Sequence, residues 1–390
     1  MPKKAQGTAC SGAAECTTGL CVDNVCCDRA CGGTCEACRG LGADGTCSSS
    51  PLIKGVDVPV PSTDQSLGLQ VIWADTQYAL SSLQGLKANV SMVSSTGTVT
   101  GTATVTLSQA SDPPSLAWSG LEFVLGWTSY ADASAGPTTT YLQRIGSGAT
   151  LVGSPLMQQT SASRVIFRDV AWSAARSEYG LLTTGSSGMT STRANVSAMP
   201  LPGSLVSMAT AWSGTPAIVA RADGTYGAAY SAGGTVFLAR LDGTGTRIGS
   251  EVTVGSGFSE QIAWSGSEFG IPYIGPTRDL KLARFDAGGT RQGFDVALAG
   301  QEVYSAWATW AGDRWLVVWS QGSPAEVYGR FVSAQGSPLG TATRLTTTAT
   351  QTDFPRAAWS GQGFGLTRYE IDTSTATWTW AGYFSRLSCD

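Results

Sequence analysis

Ten cysteines are the most reactive side chains in this 390-residue chain, and nine of them fall within its first 47 positions. They are Cys10, Cys16, Cys21, Cys26, Cys27, Cys31, Cys35, Cys38 and Cys47; the tenth, Cys389, is the penultimate residue. Cysteines this dense in a small loop-rich segment read as a disulfide framework, which places the chain in an oxidising compartment, secreted or at the cell surface. Zinc is the alternative at Cys35-Glu36-Ala37-Cys38, but the neighbourhood offers no second clean pair at that spacing. Because nine is odd, one N-terminal cysteine is expected to bridge to Cys389; spacing does not say which.

Histidine is absent. That excludes a Ser-His-Asp triad, a Cys-His dyad, a His-ligated metal and a histidine general base. Paired carboxylates could still cleave glycosides, and there are 28 acids to draw on. Yet no Ser-x-Asp-x-Gly-x-Thr-Trp segment, calcium loop, P-loop or dinucleotide fingerprint appears. Asp242 and Asp286 stand alone in glycine turns, where an acid accepts local backbone hydrogen bonds. No metal or cofactor is expected, and no enzyme. A net charge of −4 argues against nucleic acid and against a basic membrane-surface protein. No apolar stretch approaches the ~20 residues of a membrane-spanning helix. Asn-Val-Ser sequons at Asn89 and Asn195 matter only in a eukaryotic secretory route. Met1-Pro2-Lys3-Lys4 opens no apolar leader, so export implies a leader missing from this sequence.

The elements that would position any site come from a repeat. A Trp followed by small residues recurs at Trp73, Trp118, Trp172, Trp212, Trp264, Trp310 and Trp359, at spacings of 45, 54, 40, 52, 46 and 49. Each copy reads as a short strand ending at the Trp, a glycine turn, and three further strands. Sustained helical periodicity is missing. This period with four short strands is that of a propeller blade, so the expected fold is all-β: a seven-bladed β-propeller of four-stranded blades over residues 50–390, behind a small disulfide-rich loop module at 1–49. Paired β-sandwiches or a β-solenoid are the alternatives, as are six or eight blades. The last unit stops after its third strand, and residues 51–60 resemble the missing fourth. Closing the ring with them would remove exposed edges and bring residue 50 near 387.

Two residue runs, Cys16-Thr-Thr-Gly-Leu-Cys21-Val-Asp-Asn-Val-Cys26-Cys27 and Cys31-Gly-Gly-Thr-Cys35-Glu-Ala-Cys38, resemble the cysteine-rich modules of secreted or surface proteins of myxobacteria and related bacteria. The Ala-Trp-Ser-Gly copies resemble the propeller-like repeats that follow such modules. The resemblance implies a bacterial extracellular setting and carries over no catalytic residue.

Residues shared by every blade are expected to serve packing. The third-strand arginines Arg144, Arg240, Arg284, Arg330 and Arg386 read as pairing between blades, with an axial ring of positive charge as the alternative. Variable positions are better binding candidates. Nine residues after each anchor Trp, allowing for an insertion in the third unit, stand Ser82, Trp127, Thr183, Arg221, Tyr273, Trp319 and Arg368. From these come the binding candidates Trp127, Arg221, Tyr273, Trp319 and Arg368, joined by Tyr369, which groups with Trp378 and Trp380. Rim packing between blades is the competing reading. The expected function is a non-catalytic extracellular interaction or assembly protein that binds a protein or itself. A lectin-like, glycan-binding propeller is the alternative, and a carbohydrate-active enzyme comes third.

Overall fold

The computed structural model describes residues 2–38, 44–62, 69–130, 136–259, 261–374 and 378–389. It is a seven-bladed propeller. Blade 1 runs from Gln70 to Thr106, blade 2 from Ala110 to Ser161, blade 3 from Val165 to Ala209 and blade 4 from Ser213 to Ser256. Blade 5 spans Ala263 to Ala299 and blade 6 Val303 to Arg344. Blade 7 takes three strands from Gln351 to Cys389, and its outer strand, Leu52–Val60, comes from the other end of the chain. Every blade is an antiparallel meander whose first strand lies innermost. In blade 2 that strand is split in two around Asp112-Pro113-Pro114, since proline cannot donate to a ladder. We call the face where inner strands begin the upper face and the face where they end the lower.

The sequence builds these sheets to be covered on both sides. Second strands such as Arg314–Gln321 and Glu122–Tyr130 are buried almost throughout. Among the described residues the propeller has no single core. It has seven apolar clusters, each shared between two neighbouring blades around the full circle. In six of the seven clusters an anchor tryptophan packs at the lower end. In six blades the anchor packs edge-on or tilted against the aromatic paired with it at the start of the second strand, at centroid distances of 4.4–4.9 Å.

That second-strand aromatic also enters the preceding blade. A Cβ on Gly270 would lie 2.6 Å from the Trp315 ring, and one on Gly365 2.7 Å from Tyr78. Gly180 meets Tyr226 in the same way, and Gly227 meets Phe269. Glycine here is a slot for the neighbour's ring. Polar side chains on the inner strands add a second set of joints. Asp169 of blade 3 accepts hydrogen bonds from Ser115 of blade 2 and from the Ile218 N–H of blade 4. Gln70 accepts from the Leu116 N–H, and Gln261 from that of Ala308.

Blade 4 corrects the expected repeat. Trp212 does not end its inner strand; it precedes it, because that strand is Ser213–Ala220. Ala220 holds the anchor position opposite Tyr226. The Trp-Ser-Gly segment at 212 is therefore out of register by eight residues.

All ten cysteines are paired. Cys10–Cys21 interleaves with Cys16–Cys26, Cys27–Cys38 interleaves with Cys31–Cys47, and Cys35 joins Cys389. Cys35 and Cys38 thus belong to different bridges, which leaves the zinc alternative without thiolates. The module sits against the lower end of blade 6. Thr34 donates from its N–H to Asp313 (3.0 Å) and from its hydroxyl to the Ala311 carbonyl (3.0 Å), and Glu36 pairs with Arg314 at 3.1 Å. Blades 2, 3 and 5 carry glutamate where blade 6 carries Arg314, so the docking charge is specific to this blade.

The seam has its own clamp. Arg368, fully buried, makes a two-pronged bond to Asp57 of the N-terminal strand at 3.0 and 2.8 Å and also donates to Ser385 and Glu370. Burial alone would raise the Asp57 pKa. The hydrogen bonds from Arg368, Lys54 and Ser385 outweigh it and bring it down to about 2.

Three variants have distinct expected outcomes in chemical denaturation. Gly270→Ala overpacks the joint with blade 6 and lowers stability by about 1–3 kcal/mol. Gly300→Ala, which meets nothing within 4 Å, changes it by less than about 0.5 kcal/mol. Asp57→Asn removes stabilisation on the order of 1 kcal/mol, allowing for solvent screening of a part-exposed carboxylate. Because folding depresses this pKa, the deficit is full above the unfolded value near 3.8 and fades as pH falls through about 2. A deficit that persists at the lowest pH contradicts the clamp.

Candidate functional site

The sequence candidates are mostly interior. Trp127, Tyr273, Trp319, Arg368 and Tyr369 are each at most 5 % exposed. A second strand is sandwiched between two neighbouring blades, so neither of its faces meets solvent. Trp127 stacks on Tyr141 and Trp319 on Tyr328, each across to its own third strand. Tyr273 donates to Asp295 at 2.6 Å, Arg368 clamps the seam, and Tyr369 packs edge-on against Trp380. The register break also moves Arg221. It lies in the lower-face turn of blade 4, paired with Asp223 at 2.9 Å and held over the blade 5 anchor, Trp264, at 4.9 Å. The true blade 4 member of the set is Tyr230, which donates to Glu251.

Nor do the third-strand arginines form an axial ring, because the third strand is not the inner one. Arg144 pairs with Glu122 and Arg284 with Glu268. Arg240 donates to the carbonyl of Ile248, and Arg330 to that of Gly340. Blade 3 supplies a further member that the pattern did not pick out, Arg193, paired with Glu178.

Two accessible places on the upper face bring together aromatic and charged side chains. One is an open groove of about 740 Å³ where blades 2, 3 and 4 meet. Its walls are loop and strand-end residues. Arg164 and Ile166 open the blade 3 inner strand, Thr184 and Gly185 belong to the next hairpin, and Trp212 leads into blade 4. The Trp212 N–H donates to the Gly185 carbonyl at 3.1 Å. Behind it the Arg168 guanidinium lies 4.9 Å from the Trp212 ring centre, and its Nε donates to Thr184 at 2.7 Å. Arg164 pairs with Asp112 at 3.0 Å and lies over Tyr130. Burial raises the Asp112 pKa against the pull of Arg164 and Arg168. Among the described residues its lining carries neither a carboxylate nor a thiol. The described lining offers guanidinium, hydroxyl and indole groups. The sequence signal for it was the irregular pair of spacings, 40 and 52, on either side of Trp212.

The second place is an aromatic platform on blades 6 and 7. Phe354 has a left-handed backbone, φ +55°, which a bulky residue adopts only when held there. Buried Asp353 holds it, accepting from the Phe354 N–H at 2.7 Å and from the hydroxyls of Ser305 and Ser320. The Phe354 ring stacks on Trp380, which stands on Tyr369, and Trp378 beside them is 55 % exposed. Toward the axis, Arg356 lies over Trp307, and Arg278 over Tyr304.

Known structures share this architecture. A chain in the crystal structure of a mitotic checkpoint complex superposes with a TM-score of 0.55 at 14 % identity, covering 86 % of this chain and 93 % of that one. The Myceliophteria thermophila Cps50 (Swd1) β-propeller domain superposes with a TM-score of 0.53 at 11 % identity, covering 87 % of this chain and all of that one. At such identities the likeness is one of fold. Neither a protein-family model nor a curated protein matches the sequence.

Proposed function

We propose that this chain is a non-catalytic extracellular interaction or assembly protein that holds a protein partner, or a second copy of itself, on the upper face of the ring. The carrying observation is the Trp212 groove. It lies where the repeat loses register, and there two arginines, an indole and several hydroxyls converge without a packing role common to the other blades. The disulfides, which need an oxidising compartment, support an extracellular setting, as does the resemblance to myxobacterial cysteine-rich modules. Among the described residues no helix is long and apolar enough to cross a membrane. Binding without turnover is supported by the state of the buried acids. Asp169 and Asp353 are occupied by backbone and hydroxyl donors at blade joints, where they hold the ring together.

A lectin is the second reading, favoured by the platform: exposed Trp378 and half-buried Trp380 and Phe354 offer ring faces of the kind that stack on sugars. The two readings separate in one experiment. Wild type, Trp212→Ala and Trp378→Ala are screened against immobilised proteins of the producing cell's exterior and against a glycan array, with native mass measured across concentration. The expected result is protein retention or a concentration-dependent oligomer, lost in Trp212→Ala and kept in Trp378→Ala. Selective glycan binding that survives Trp212→Ala and disappears in Trp378→Ala overturns the reading in favour of the lectin.

A further inference from the structure

Independently of the upper face, we propose a self-association surface on the rim of the ring. The outer strand of blade 1, Val99–Thr106, pairs antiparallel with the same strand of a second copy, so that two four-stranded blades become one eight-stranded sheet.

A sheet edge is a row of unpaired N–H and C=O groups, and a propeller keeps its outer edges short or guarded. Six of the seven blades follow that rule. The outer strands of blades 3, 4 and 5 have four, five and four residues. That of blade 7 carries Lys54, Asp57 and Pro59. That of blade 6 starts at Pro338, ends at Arg344 and has the module beside it, where a Cβ on Gly340 would meet Ser49 at 3.9 Å. That of blade 2 is long, but Pro155 and two register shifts break it. Blade 1 is the exception. Its outer strand has eight residues without charge or proline, in register with its neighbour from Gly101 to Thr106. Among the described residues no strand pairs with its far side.

The ladder says which groups face outward. Leu107 donates its N–H to the Leu86 carbonyl. By alternation Ala103 and Val105 bond inward, while Thr102, Thr104 and Thr106 turn N–H and C=O away from the blade. Side chains alternate in step: Ala103 and Val105 are buried in the cluster shared with blade 2, and the three threonines are exposed. Thr104 is the centre of this set. A twofold axis there sets Thr104 opposite its own copy and Thr102 opposite Thr106, with about six new backbone hydrogen bonds and a continuous row of threonines on one face.

Charge selects a second copy as the occupant. The strands Lys87–Ser94 and Val99–Thr106 carry one charge between them, Lys87. By strand spacing and rise the twofold holds the two Lys87 side chains roughly 20 Å apart, well past a Debye length of about 8 Å. An uncharged strand thus meets its own copy without like-charge repulsion.

The test is sedimentation of the full chain from about 1 μM to about 1 mM, the range suited to a small interface. Wild type is expected to pass from monomer to dimer, and added salt leaves the dimer in place. Thr104→Lys and Thr104→Glu each weaken it about tenfold, because like charges then face each other across the axis, and an equimolar mixture of the two variants restores it. Thr104 also donates to Asn89 at 2.8 Å, so unfolding midpoints are read alongside. Thr106→Pro carries the test if those variants are unstable: it deletes an outward N–H that the blade's own ladder does not use, and weakens the dimer about tenfold. A wild type that stays monomeric throughout, a dimer indifferent to Thr104→Lys, or a mixture that stays apart overturns the proposal. So does a dimer lost in Trp212→Ala and kept in Thr104→Lys, which places self-association on the upper face. In the Thr104→Lys background any remaining oligomer reports on the upper face alone, so each reading can fail without the other.

Discussion

Everything in this molecule follows from a joint made seven times: an aromatic ring at the start of one blade's second strand, packed into the preceding blade, which presents glycine to it at four of the joints. Apolar surface in an open sheet must be covered, and a four-stranded blade cannot cover its own two faces. Each blade is therefore stable only as the filling between its neighbours, and the ring is the one arrangement in which no face is left over. The second strands bear this most heavily, which explains why their variable aromatics and Arg368 are interior despite varying from blade to blade. Variation there is repacking of a wedge. Variation that can serve recognition is displaced to the loops of the upper face.

Charge is used sparingly and mostly in pairs. The Glu–Arg pair at the lower end of blades 2, 3 and 5 ties second strand to third. Blade 6 exchanges its glutamate for Arg314, and the partner is then Glu36 of the cysteine-rich module. One substitution in a repeated position thus turns an internal tie into an external dock. The same logic acts at the seam, where Arg368 occupies a site given to aromatics or hydroxyls in other blades and reaches Asp57, 311 residues earlier in the chain.

Local grammar made much of this readable. Trp and the aromatic five residues on mark a hairpin, so blade number, strand count and the N-terminal fourth strand could be read from spacing. Blade 4 could not, because Ala211-Trp212-Ser213-Gly214 copies the anchor phrase while Ala220 does the anchor's work; only pairing with Tyr226 distinguishes them. Reading from Trp212 then misplaced Arg221 and passed over Tyr230. The direction in which a second-strand side chain points is likewise silent in one sequence, since both faces of the sheet are covered. The groove was invisible for a different reason: Arg164, Arg168, Asp112 and Trp212 come from three blades, and nothing local announces that they meet. Cysteine arithmetic pointed to a tie with Cys389, whereas its partner, Cys35, depends on the docking of the module on blade 6.

The seam also sets an order of events. Leu52–Val60 is made before its partner, Thr379–Cys389, so the ring cannot close until everything between them has been synthesised. Four of the disulfides join cysteines 10–16 residues apart and can form while the chain is still emerging; Cys35–Cys389 spans 354. A chain cut short anywhere in the propeller keeps Cys35 as a thiol and an unpaired edge on its first strand. The last bond to form is thereby a certificate of ring closure, legible to any thiol-trapping quality control the chain meets.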